Sequence, residues 1–227
     1  MGCFLIGVTG DAYTKTGEAL LGSVSDDPYD IRTFVRSKHP KKKLPHIGTE
    51  LVATRPPSFS ERGYFCERGD TSRGINAAGL AFTTAMLFEN EASTKQKNRA
   101  SFSQAIKEIM ATCRSVKEAI ALFQKKEAVS PPFSILLADS QGNIAHVEAG
   151  SFGVEVLEEY SQQKPGAIYA VNCYRSKNML AYNDPHASAD NPQNNNGMRL
   201  QSGKKLCEQL KGNIDIEKLA LILSDHT

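Results

Sequence analysis

A cysteine at position 3 opens an apolar run, CFLIGVT over 3–9. A chain terminus is ordinarily frayed and expendable, so a thiol fixed at the head of a strand is a candidate reactive group. If Met1 and Gly2 are removed, Cys3 carries a free α-amine beside its thiol. An α-amine titrates at about 7.7 to 8.0 and a thiol at about 8.5, so the amine can serve as base for the thiol near neutral pH. Nucleophile and base then share one residue, and what is missing is a donor for the developing oxyanion. A side-chain amide suits that role, and losing one such donor typically costs about 2.7 to 4 kcal/mol of barrier. Asn172, at the end of an apolar strand between Val171 and Cys173, is the candidate.

The elements that must position these groups follow from the periodicity. CFLIGVT (3–9) and ALLGSVS (19–25) flank a polar stretch with Gly17 and read as a β-hairpin. If the turn centres near residues 14 to 16, partners sum to about 29 to 31 and Cys3 lies opposite or beside Asp26. A carboxylate there can hold the Cys3 ammonium. Residues 27–73 read as mostly loop with short strands, Glu50 to Thr54 being the best strand candidate. Residues 74–88 read as a turn and a buried strand. Apolar positions at helical spacing over 101–126 give two helices, the second capped by Ser115. A three-strand meander over 131–159, a strand over 167–172, and helices over 198–210 and 216–223 complete the chain.

Each candidate has a plainer reading. Cys3 can be a small hydrophobe at a strand start, Asp26 a turn residue in Asp-Asp-Pro, and Asn172 a strand-end amide bonded to main chain. A lipid anchor on Met-Gly-Cys is disfavoured because position 6 is Ile6 rather than Ser or Thr.

The order of several segments resembles a known family. The Gly2-Cys3 start, LLGSVSDD, GINAAGLAFTTAM, SILLADSQGNIAHVE, YAVN and the closing LSDH are similar to the N-terminal nucleophile hydrolases of the acyl-coenzyme A:6-aminopenicillanate acyltransferase and choloylglycine hydrolase group. The resemblance implies an α+β fold, a four-layer αββα sandwich. It implies Cys3 as nucleophile, Asp26 beside its amine, Asn172 in the oxyanion hole, and cleavage of the Gly2–Cys3 bond. It also implies supporting or substrate-binding roles for Thr84, Met86 and Arg199. The chain departs from the pattern where relatives carry Arg-Asn in the second strand: here Ser23-Val24-Ser25-Asp26 stands. Relatives also continue past SDH, so a short C-terminal side, with exposed sheet edges, is expected.

Composition sets the frame. The chain has 227 residues, 40% hydrophobic and 23% charged, enough for one domain spanning 1–227. With 27 Lys plus Arg against 25 Asp plus Glu, the net charge of +2 argues against nucleic acid as partner. No apolar run reaches the ~18 to 20 residues of a membrane span and no secretion signal stands at the start, so a cytoplasmic protein is expected. Five scattered cysteines and five histidines without HxxxH spacing suggest neither disulfides nor a metal, and no cofactor is expected. His146, alone in an apolar strand, reads as structural. Residues 69–74 precede a strand rather than a helix, which sets a phosphate loop aside. The expected function is a cysteine-dependent hydrolase or acyltransferase for linear amides in small N-acyl substrates, acting through a thioester. The alternative is a degenerate relative that keeps the scaffold for binding or assembly. The partners expected are the small amide and a second copy or completing chain.

Overall fold

The computed structural model describes residues 2–25, 31–53, 71–90, 99–189, 191 and 193–225. Elements run β1 (Cys3–Thr9), β2 (Leu20–Ser25), β3 (Ile31–Lys38), β4 (His46–Ala53), β5 (Thr71–Asn76), β6 (Ala81–Met86), β7 (Ala100–Ser101), α1 (Phe102–Thr112) and α2 (Val116–Gln124). There follow β8 (Val129–Ser130), β9 (Phe133–Ala138), β10 (Ile144–Gly150), β11 (Gly153–Tyr160), β12 (Gly166–Ala170), α3 (Asn195–Leu210) and α4 (Ile216–Ser224).

Two antiparallel sheets carry the fold, one of three strands in the order β12-β1-β2 and one of seven in the order β11-β10-β9-β6-β5-β4-β3. Side-chain alternation divides their residues among three cores. Phe82, Phe133, Ile135, Leu137, Ala145 and Val147 face α1 and α2, where they meet Phe102, Ile106, Ile109 and Phe123. Leu5, Ala85, Leu136, Ala138, Ile144, Ile168 and Ala170 fill the space between the sheets. Phe4, Ile6, Val8, Tyr169 and Val171 face α3 and α4, meeting Leu200, Cys207, Leu219 and Ile222. The layers are therefore helix, sheet, sheet, helix, as the resemblance implied. Strands buried on both faces explain why β1 and β9 read as nearly unbroken apolar runs.

The helices begin where the sequence signals them. The side chains of Ser101, Ser115, Asn194 and Asp215 each accept an N–H three residues on. Asp139 adds a carboxylate to the start of α2, accepting from Val116 N at 3.0 Å.

The expectation for residues 27–73 is corrected: β3, β4 and β5 are paired strands of the large sheet, with the Lys41-Lys42-Lys43 run at the β3–β4 turn. Its outer strands β3 and β4 look loop-like because the three-stranded sheet does not extend over them. Val35, Ile47 and Ile75 share a face there and remain 68%, 43% and 46% exposed, and charged residues alternate with them. The hairpin register also differs from expectation. Cys3 pairs with Ser25, so partners sum to 28, and Asp26 lies outside the described residues.

Candidate active site

Cys3 heads β1 on the face turned to the opposite sheet, half-buried against the interlayer core. Its main-chain N–H donates to Asn172 Oδ1 at 2.5 Å. Asn172 is 2% exposed, and its Nδ2 donates to the carbonyl of Met86, at the end of β6, at 2.8 Å. One amide thus ties the first residue of the small sheet to the last residue of a central strand of the large one.

The segment that carries Asn172 leaves β12 and is anchored from three sides. Asn183 brackets Tyr174, accepting its N–H at 2.7 Å and donating to its carbonyl at 3.0 Å. The buried Glu148 carboxylate on β10 accepts the N–H groups of Arg175 and Ser176 at 2.7 and 3.1 Å. Glu89 accepts from the Tyr174 hydroxyl and from Ser151 N and Oγ, the latter two at 2.9 and 2.6 Å. Burial raises the Glu148 carboxyl above its ordinary range, and the two main-chain N–H groups oppose the rise. Beside it, His146 shares its Nε2 with Ser134 Oγ at 2.6 Å. Burial holds the His146 imidazole down at about 3, with the nearby Arg175 charge acting in the same sense. His146 is therefore neutral at physiological pH.

Gly2 and Arg199 also meet. Gly2 is buried flat against the Arg199 guanidinium, and a Cβ on Gly2 would overlap it. Arg199 is buried in α3, where its Nε donates to Asn195 O at 3.1 Å and its Nη2 to Asn196 Oδ1 at 3.2 Å. Gly2, Cys3, Asn172, Arg199 and the main chain of Met86 therefore converge.

Thr84 does not join them. It shares a face with Phe82, toward α1 and α2, and its hydroxyl donates to Ser72 O at 2.9 Å. By the same alternation the Met86 side chain packs on the helix-facing core, so Met86 reaches the site only through its carbonyl. Sequence reasoning missed that carbonyl, the Glu148 anchor and Arg73. Arg73 projects from β5 toward β2 and donates from Nη2 to Ser25 Oγ at 3.2 Å. Among the described residues no group of His, Cys, Asp and Glu is arranged to hold a metal ion, and no helix is long and apolar enough to cross a membrane.

The fold occurs in known structures. Two variants of a conjugated bile acid hydrolase from Clostridium perfringens are similar at 12% and 13% identity, with TM-scores of 0.54 and 0.55. In both, 96% of this chain is covered, with 77% and 78% of theirs. Penicillin V acylase from Agrobacterium tumefaciens aligns at 12% identity over 98% of this chain and 63% of its own, with a TM-score of 0.45. No curated protein sequence matches. The profile of one family, acyl-coenzyme A:6-aminopenicillanic acid acyl-transferase, matches residues 32–225, a span that takes in Asn172 and Arg199. With that match over most of its length, on an N-terminal nucleophile hydrolase fold, the chain belongs to the acyl-coenzyme A:6-aminopenicillanic acid acyl-transferase family.

Proposed function

We propose that this chain is a cysteine-dependent amide hydrolase or acyltransferase that cleaves the C–N bond of small N-acyl substrates through a thioester on Cys3. The carrying observation is the bond from Cys3 N to Asn172 Oδ1, which fixes the would-be α-amine at the site where a base is needed.

Activation comes first. The Cys3 thiol attacks the Gly2 carbonyl carbon, the Gly2–Cys3 C–N bond breaks to free the α-amine, and water hydrolyses the resulting thioester to release the Met1-Gly2 acid. A bulkier residue than Gly2 at the bond to be broken would displace the Arg199 guanidinium. In turnover the α-amine takes the thiol proton as Sγ attacks the substrate carbonyl carbon. An amide nitrogen has two donors, and Asn172 Nδ2 spends one on Met86 O, so the other serves the oxyanion. The C–N bond breaks, the ammonium protonates the leaving amine, and water or an acceptor amine then attacks the thioester. Arg199, facing the position that Gly2 vacates, supports the bound substrate, and Asp26 next to Ser25 partners the ammonium. The four described cysteines are thiols, which suits the reducing cytoplasm.

Intact mass tests the reading. The expected mature protein lacks Met1 and Gly2 and gains one acyl mass on Cys3 when quenched during turnover of an N-acyl substrate. Cys3→Ala is expected to retain Gly2 and to hydrolyse nothing. A wild-type protein that keeps Gly2 would sink the mechanism and leave the scaffold as a binding or assembly protein.

A further inference from the structure

We infer that Arg73 is a positioning residue for the Cys3 thiol, acting through Ser25 from the opposite sheet. The inference rests on Cys3 being the nucleophile, and it concerns how readily that thiol gives up its proton.

Cys3 and Ser25 are directly opposed in the β1–β2 ladder, so their side chains leave the sheet on the same face. Such partners hold their Cβ atoms about 4.5 to 5.5 Å apart. That face is the interlayer one, since Leu5, two residues on from Cys3, lies in the core between the sheets. Arg73 meets it from the other side. It pairs with Thr83, which alternates with the interlayer residue Ala85, so the Arg73 side chain leaves the large sheet toward the small one. Its Nη2 ends 3.2 Å from Ser25 Oγ. A cation, a hydroxyl and a thiol are thereby placed in sequence across the interlayer space. The Ser25 hydroxyl accepts from Arg73, on the residue directly across the ladder from Cys3.

The local backbone is built for this reach. The β4–β5 ladder slips between Thr49 and Glu50, so that Ser72 is an extra residue immediately before Arg73. A bulge of this kind bends a strand and re-aims the adjacent side chain. Gly74 follows, where a Cβ would stand 2.7 Å from Ile47 O, so β5 packs against β4 more closely than any side chain at that position allows. Among the described residues Arg73 Nε is buried without a hydrogen-bonding partner. A buried charged donor left so is costly, and an anionic sulfur close by offsets that cost.

Among the described residues, the other charged or titratable groups on this side include Arg199 of α3, against Gly2, and His146 and Glu148 on the interlayer face of β10. Arg73 is bonded to the residue opposite the thiol, and a thiolate forms more readily beside a cation.

The test follows the rate of Cys3 alkylation by iodoacetamide against pH, resolved by peptide mass, on protein whose N-terminus has been verified. Cys113, Cys173 and Cys207 are buried and give a slow background. Arg73→Met is expected to move the midpoint of the rate profile up by about one pH unit or more. Arg73→Lys should recover part of that shift, since it restores charge without the planar fork. Ser25→Ala should move the midpoint in the same direction as Arg73→Met. Equal midpoints in wild type, Arg73→Met and Ser25→Ala, with unchanged melting temperatures, overturn the inference while a Cys3→Ala loss of hydrolysis leaves the nucleophile assignment standing. If Arg73→Met does not fold, Ser25→Ala decides alone, an unchanged midpoint overturning the inference. Wild-type Cys3 that alkylates no faster than the buried thiols at any pH removes both readings.

Discussion

Asn172 makes two bonds with one amide, and this concentrates the chemistry on a single side chain. Asn172→Ala removes the acceptor of the Cys3 N–H and, in the proposed mechanism, the oxyanion donor. Hydrolysis by processed enzyme should fall about 100- to 1000-fold in kcat, measured with a chromogenic N-acyl substrate. His146 makes a different prediction. Its folded value of about 3 lies below the ordinary 6.5, so the unfolded chain binds a proton that the folded chain refuses. Its contribution to stability is full above about pH 6.5 and is lost as pH falls toward 3. Glu148 has the opposite sign: raised in the fold, it contributes most below its unfolded value and least above its folded one. Comparison with His146→Gln isolates the His146 part. In urea titrations at pH 7 and pH 4, the stability lost by wild type should exceed that lost by His146→Gln by about 2 kcal/mol or more. At this scale the place of Cys3 at a strand head and of Asn172 at the end of an apolar strand is legible from periodicity, while the candidate role of Cys3 comes from the family resemblance rather than from the thiol itself. Arg73 is not legible, since its contact with Ser25 joins positions 48 apart across two sheets and depends on a bulge.

Elements were legible in proportion to their coverage by neighbours. The two hairpin strands, the capped helices and the β9–β11 meander stand where periodicity and turn residues put them. β3 and β4 are hard to read because outer strands beyond the edge of the small sheet carry polar residues on both faces. Thr84 is hard to place for the converse reason. β6 is buried along its length on both sides, so alternation in hydropathy does not say which face looks toward the thiol. The segment after β12 depends most on remote elements, since Glu148 on β10 holds two of its N–H groups. Glu148→Ala leaves the main-chain N–H groups of Arg175 and Ser176 without their acceptor. It should lower stability by about 3 kcal/mol, seen as a drop in melting temperature, and weaken kcat more than KM through misplacement of Asn172.

At the scale of the whole molecule, the interlayer core is, among the described residues, the smallest of the three large clusters. Leu5 is wholly buried in it, two residues from Cys3. Leu5→Ala should cost about 2 to 5 kcal/mol in chemical denaturation. An equal truncation against the helices, such as Ile106→Ala, should cost a similar amount while leaving turnover near wild type. The difference follows from the Asn172 amide, whose oxygen is bound to one sheet and whose nitrogen is bound to the other. In the proposed mechanism the cleavage rate therefore works as a vernier on the two sheets: a slip of one against the other by about 1 Å breaks one of those bonds and slows chemistry while both sheets are still intact.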